Sequence, residues 1–287
     1  MQSGQPSLTA RRAAAHRALH QTLEGGRIFA DPLAAPLLGE PPEAMFRSDP
    51  SAPAVRGMRL FIAARSRFAE DALGVAVARG VRQYVVLGAG LDTFALRNPH
   101  AATGLEVFEV DHPATQAWKR DRIAEAGLTA PPALTFAPVD FERQTLADGL
   151  GRAGFDASRP AFFSWLGVVP YLSREAVFAT LAFVAGVPGG EVALDYGDPP
   201  SALPPEQRVA HERRAALVAS VGEPWQTFFH PPDLARDLGA LGFSEIEDLG
   251  PAEMSARYFG GPRREGPGGH VVRARRAADT APEGAPV

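Results

Sequence analysis

The sequence predicts an α/β protein: a doubly wound, seven-stranded, mainly parallel sheet with an N-terminal helical cover and a lid insertion after the fifth strand. Three observations lead there. From residue 81 onward, short apolar runs alternate with helical segments, the pattern of a parallel sheet covered on both faces. The first run stops at Gly88-Ala89-Gly90, where missing Cβ atoms allow a sharp turn and close approach of a ligand. The last two runs are joined by a short Gly/Pro-rich connection at 260–269, which argues for a hairpin and one antiparallel strand at that end.

The elements follow in chain order. Residues 1–7 and 277–287 are small, polar or Pro/Gly-rich and are expected to be disordered. Residues 8–276 are expected to form a single domain, in which 8–80 is the helical cover. There, residues 9–23 carry apolar positions at helical spacing, and Asp31-Pro32 has the form of a helix start. The Pro-rich stretch 40–57 reads as irregular, and 57–73 returns to helical periodicity. Strands are expected at 84–87, 106–110, 134–139, 161–165, 191–196, 243–249 and 270–275. Helices are expected at 113–126 and 174–185. Residues 200–232 form a long segment between the fifth strand and the last helix, read as a lid.

Composition excludes several classes of function. The 287 residues carry a formal net charge of −4, so there is no general pull toward nucleic acid or an anionic membrane. Cysteine is absent, which excludes disulfides, thiolate metal sites and cysteine nucleophiles, and fits a cytoplasmic protein. The first ten residues show no secretory signal, and the longest nearly unbroken apolar stretch, 177–187, is too short to span a bilayer. Of the 29 basic residues Lys119 is the one lysine. That bias reads as GC-rich coding, so individual arginines carry less information than usual.

The glycine turn lies in VVLGAGLDT at 85–93. A dinucleotide fingerprint would place a third glycine three residues after Gly90, and that position holds Thr93. Asp111 follows Gly90 by 21 residues, at the end of the next strand, where a carboxylate can accept both ribose hydroxyls of an adenosyl group. Without the third glycine an adenosyl cofactor lacking a pyrophosphate fits better, which favours S-adenosyl-L-methionine over NAD. Glu109, two residues earlier on the same strand face, is a competing acid. Among the histidines, His211 lies in the lid segment and is the candidate general base; Trp225, Phe228 and Phe229 either line an apolar pocket there or anchor the lid. No spacing suggests a metal site, and Ser164 and Ser173 lack a nucleophile elbow.

Further motifs are TARRAAAHRA near the start, ARSRFAED at 64–71, LGAGLDTFALR at 87–97, FEVDHPATQAWK at 108–119, VDF at 139–141, WLGVVPYLSREAV at 165–177 and DYGDP at 195–199. With these the chain resembles class I S-adenosylmethionine-dependent methyltransferases of the leucine carboxyl methyltransferase type, a group that includes polyketide O-methyltransferases. The resemblance implies that Arg65 meets the methionyl carboxylate and that Gly88, Ala89 and Gly90 pack against the cofactor. It also implies that Asp111 binds the ribose, while Asp140 and Phe141 lie beside the adenine. One position departs: five residues before the tyrosine matching Tyr171 the family has a cofactor-contacting acid, and here stands Leu166. Either another group takes that contact or the backbone of 164–165 does. The implied function is methyl transfer to an oxygen of a small molecule, without a metal. The alternatives are carboxyl methylation, a non-catalytic adenosyl-binding protein, or a dehydrogenase on the same sheet. The sequence leaves the acceptor and the oligomeric state open.

Overall fold

A computed structural model describes residues 7–140, 144–220, 222–260 and 266–277. Among them β1 (Gln83–Leu87), β2 (Glu106–Asp111), β3 (Leu134–Pro138), β4 (Ala161–Trp165), β5 (Glu191–Gly197), β6 (Glu245–Leu249) and β7 (Gly269–Arg275) form one sheet. Their order is β3-β2-β1-β4-β5-β7-β6. The first five are parallel, and β7 runs antiparallel to both β5 and β6. Strand order reverses between β1 and β4, so the ligand crevice of such a sheet lies beyond their carboxyl ends.

The helices are α1 (Leu8–Leu23), α2 (Ala34–Leu38), α3 (Pro53–Ala78), α4 (Phe94–Arg97), α5 (Pro113–Glu125), α6 (Leu146–Arg152), α7 (Arg174–Gly186), α8 (Pro205–Ala219), α9 (Pro231–Ala240) and α10 (Pro251–Met254), the last running into a π turn at Ser255–Phe259. Ser7 belongs to the fold: its hydroxyl accepts from Ala10 N at 3.2 Å and caps α1. The rest of the two ends expected to be disordered, 1–6 and 278–287, lies outside the described residues. At α3 the proline sits in the first turn, where its missing N–H is harmless. The helix therefore starts four residues earlier than the periodicity suggests and runs for 26 residues.

Asp31 does not start a helix. It is fully buried, accepting from Arg17 Nε at 2.8 Å and from the Thr93 hydroxyl at 2.7 Å. Its carboxylate answers a buried guanidinium, and α2 begins three residues later with no side-chain cap.

Apolar side chains pack on both faces of the sheet. Val85, Phe163 and Leu194 meet Leu150 of α6, Leu181 of α7 and Leu238 of α9 on one side. Tyr84, Val86 and Phe162 meet Leu60, Phe68 and Leu73 of α3 on the other. A third cluster joins Ala14 of α1, Leu37 of α2 and Ile123 of α5. Full burial of each large apolar side chain stabilises by roughly 1.5–3 kcal/mol. By contrast, α8 buries only His211 and Val218. Among the described residues no helix is long and apolar enough to cross a membrane.

Candidate active site

The turn after β1 is built on two left-handed glycines, Gly88 at φ +66° and Gly90 at φ +46°. A Cβ would lie 2.3 Å from Val168 Cγ2 at Gly88 and 2.9 Å from Ala10 Cβ at Gly90. Backbone geometry and space both require glycine there. Gly88 N and Ala89 N donate to Val110 O at 2.8 and 3.1 Å, folding the turn over the end of β2.

Asp111 closes this arrangement. Its Oδ2 accepts from Gly90 N at 2.6 Å and its Oδ1 from His112 N at 2.7 Å. An ionised carboxylate has about four acceptor positions, so each oxygen keeps room for another donor. Burial raises the Asp111 pKa, against the pull of the two amide donors. Glu109 is disposed differently. It is 1% exposed and paired with Lys119 Nζ at 2.5 Å, and burial pushes it up to about 7. The lone lysine of the chain neutralises the competing acid, leaving Asp111 as the carboxylate at the glycine turn.

Asp140 stands at the next strand end, tied to Asp111 by Val139 N donating to Asp111 O at 2.9 Å. Phe141 lies outside the described residues.

Arg65 projects from α3 and gives Nη1 to Asp195 Oδ2 at 2.8 Å, while Asp195 Oδ1 accepts from Gly167 N at 2.5 Å. Gly167 is a third cramped glycine: a Cβ there would lie 2.7 Å from Arg65 Nη2. Nε of Arg65 is buried without a partner, as are Arg12 Nε and His16 Nδ1 on α1. His16 is held down at about 3 by burial, then by Arg59, Arg65 and Arg12. Leu166 is half-buried against the α3-side core, and the carboxylate beside it comes from Asp195 through Gly167.

The segment expected to be a lid contains α8 and an extended return. Gln226 N and Thr227 N donate to Pro170 O at 2.6 and 3.3 Å, and Phe229 N donates to Gly197 O at 3.1 Å. Thr9 N donates to Glu223 Oε2 at 3.3 Å, joining the lid to α1. Gln226 Nε2 donates to Tyr171 O at 2.6 Å and the Thr227 hydroxyl donates to Leu172 O. His211 sits between Trp225 and Phe228, with ring centroids at 5.1 and 5.4 Å. It is 7% exposed, and neither ring nitrogen has a partner. Burial, then Arg214, lowers its pKa and keeps it neutral at pH 7.

A profile of the leucine carboxyl methyltransferase family matches residues 10–185, which take in the glycine turn, Asp111, Arg65 and Tyr171. The chain belongs to the leucine carboxyl methyltransferase family. It is 37% identical over 200 residues to a Bacillus subtilis (strain 168) protein named "Putative S-adenosyl-L-methionine-dependent methyltransferase YktD", covering 68% of this chain and 65% of that one. A protein of Mycolicibacterium paratuberculosis (strain ATCC BAA-968 / K-10), named likewise without the last word, is 34% identical over 204 residues, covering 69% and 61%. The chain thus spans less than two thirds of the length of these relatives. A "putative methyltransferase" structure from Thermobifida fusca YX superposes with TM-score 0.58 at 18% identity, covering 96% and 97% of the two chains. A duf574 family protein from Streptomyces avermitilis ma-4680 gives 0.52 at 19%, covering 92% and 97%. These two likenesses show the fold.

Within this leucine carboxyl methyltransferase fold, the expected residues fall into two groups. Gly88, Ala89, Gly90, Asp111 and Asp140 gather at the carboxyl ends of β1 to β3, whereas Arg65 and His211 stand toward β4 and β5. Sequence reasoning missed Asp195, Arg12 and His16. The spacing of Arg12 and His16, four apart on one helix, was the available signal. The other candidates are structural: Ser173 caps α7, Ser164 accepts from the Tyr84 hydroxyl at 2.8 Å, and His112 caps α5. Among the described residues no group of three or more His, Cys, Asp or Glu is placed to hold a metal.

Proposed function

We propose that the protein transfers a methyl group from S-adenosyl-L-methionine to an oxygen of a small molecule. One observation carries this reading: beside a turn that only glycine fits, Asp111 keeps spare carboxylate acceptor positions, and Arg65 keeps a buried Nε donor without a partner. That donor set fits a ligand with a ribose at one end and an amino acid at the other. Asp111 would take the ribose, with Asp140 and Phe141 beside the adenine. Arg65 and Arg12 would take the carboxylate, and Asp195 would supply the acid that Leu166 lacks. When bound, S-adenosyl-L-methionine supplies an electrophilic methyl on a sulfonium.

The chain's own work is alignment and exclusion of water, since displacement at carbon needs oxygen, carbon and sulfur in line. The lid, fastened at Pro170, Gly197 and Thr9, performs the exclusion. Neutral His211 would take the acceptor's proton, an assistance worth about 10²–10⁴-fold for a hydroxyl. A carboxylate acceptor needs no such base.

The test is formation of S-adenosylhomocysteine across an acceptor panel, with His211→Ala beside wild type. Turnover that rises through the histidine range and falls in the variant supports hydroxyl methylation. A flat profile with an active variant supports carboxyl methylation. Tight S-adenosyl-L-methionine binding with no acceptor would make the protein an adenosyl-binding one.

A further inference from the structure

Gly197 and Gly269 are direct cross-strand partners at the end of β5 and the start of β7, so their missing side chains belong to adjoining points on one face of the sheet. That face is the one α3 covers, because Asp195, two residues before Gly197, reaches Arg65. A Cβ on Gly269 would meet Phe61 Cε2 at 2.6 Å, and one on Gly197 would meet Phe228 Cδ1 at 3.7 Å. Two phenyl rings therefore rest on bare backbone, one brought by α3 and one by the lid. Both are half-buried.

The rings connect the two functional ends of the site. The Arg65 guanidinium lies 5.9 Å from the Phe61 centroid. Phe228 is 5.4 Å from His211, which is 5.1 Å from Trp225. Aromatic rings thus stand at both ends, Phe61 by the donor-site arginine and Phe228 by a buried imidazole with two unpaired nitrogens. An aliphatic ligand needs only an apolar wall, which branched side chains would supply. Rings placed over paired glycines instead offer flat contact, which aromatic ligands exploit by offset or edge-on packing. The unpaired imidazole calls for a polar hydrogen on that ligand.

Resting on the methyl-transfer reading, we infer that the acceptor is a planar aromatic hydroxyl compound of about naphthol size, its ring against Phe61 and Phe228 and its hydroxyl at His211. In the transfer, the oxygen–methyl bond forms as the methyl–sulfur bond breaks. The bonding pair stays on sulfur and neutralises the sulfonium, and the hydroxyl proton passes to His211.

The experiment is calorimetric titration of the protein, saturated with S-adenosylhomocysteine, with 2-naphthol and with its non-planar counterpart decahydro-2-naphthol. Wild type should prefer 2-naphthol by about tenfold. Phe228→Leu, which keeps apolar volume without a ring, should remove most of that preference and leave S-adenosylhomocysteine affinity unchanged, and Phe61→Leu should remove most of the preference as well. Gly269→Ala, which displaces the Phe61 ring, should act like Phe61→Leu. Equal binding of the two alcohols by wild type, or a preference that survives both leucine variants, overturns the proposal. If S-adenosylhomocysteine does not bind, the donor reading falls and this proposal with it. If it binds while 2-naphthol gains no preference, only this proposal falls.

Discussion

At the scale of single residues, two acids on one strand face have different partners: Asp111 the main chain of the glycine turn, Glu109 the Lys119 ammonium. Asp111 keeps acceptor positions beside the glycine turn, and charge-assisted hydrogen bonds are worth roughly 1.5–3 kcal/mol each. Allowing for non-additivity, Asp111→Ala should weaken S-adenosyl-L-methionine by about 10–100-fold in calorimetric titration. Glu109 serves the fold through Lys119. Lys119→Met would strand a buried carboxylate and should cost about 3–5 kcal/mol in urea denaturation. That loss should shrink as pH is lowered and Glu109 takes up a proton, and the double variant with Glu109→Gln should recover most of it. A Lys119→Met protein as stable as wild type would show that the pair carries no such weight. Spacing made Asp111 legible from the sequence, since a strand end 21 residues past the turn must face it. It could not rank Asp111 over Glu109, because residues two apart share a strand face. The partner that decides, Lys119, comes from α5. Asp195 was hidden for a related reason: its meaning depends on Arg65, 130 residues away.

At the scale of elements, the central strands β1, β4 and β5 were the most legible, because burial on both faces leaves little but a largely apolar composition possible. The helices α4, α6, α8 and α10 were not legible. Of these, α4 and α10 are four residues long and α6 seven, too short to show a period. Helix α8 buries only His211 and Val218 and leaves Val209 and Leu217 exposed, so its sequence carries no apolar stripe. The same shortage of buried contacts places α8 at the low end of local stability. What holds the 200–232 segment is its edge, in the main-chain bonds to Pro170 and Gly197 and the Thr227 hydroxyl donating to Leu172 O. Thr227→Val removes the hydroxyl tie to Leu172 O, a hydrogen bond worth about 0.5–1.5 kcal/mol. Amide hydrogen exchange across 205–219 should speed up by roughly 2–10-fold, with the core strands unchanged. Unchanged exchange in the lid would mean the main-chain bonds alone hold it.

For the whole molecule, burial of titratable groups makes stability depend on pH in opposing ways. Burial raises the pKa of Glu70 and Glu191, and it pushes Glu109 up to about 7. Such groups bind protons more readily folded than unfolded, so they favour the folded state as pH falls. Burial opposes protonation of His270, but Asp248 and Asp198 on either side hold its pKa above the ordinary value, which gives it the same sign as the carboxylates. His16 works the other way. Its pKa is held at about 3 when folded, against an ordinary value of 6.5. Below pH 6.5 the unfolded chain takes a proton there that the folded chain refuses. Stability is therefore lost at about 1.4 kcal/mol per pH unit as pH falls through that window. His16→Leu keeps the edge contact with Phe46, now 4.7 Å between centroids, and removes the titration. Urea denaturation of both proteins at pH 7.5 and 5.0 isolates the effect, since every other group titrates alike in the pair. The stability of wild type relative to the variant should drop by ~2 kcal/mol between the two pH values. Parallel behaviour of the two proteins would mean that His16 accepts its proton while folded, beside Arg12, Arg59 and Arg65. A fourth cation is tolerable there only if water reaches them, and then Arg65 would stand on an open surface.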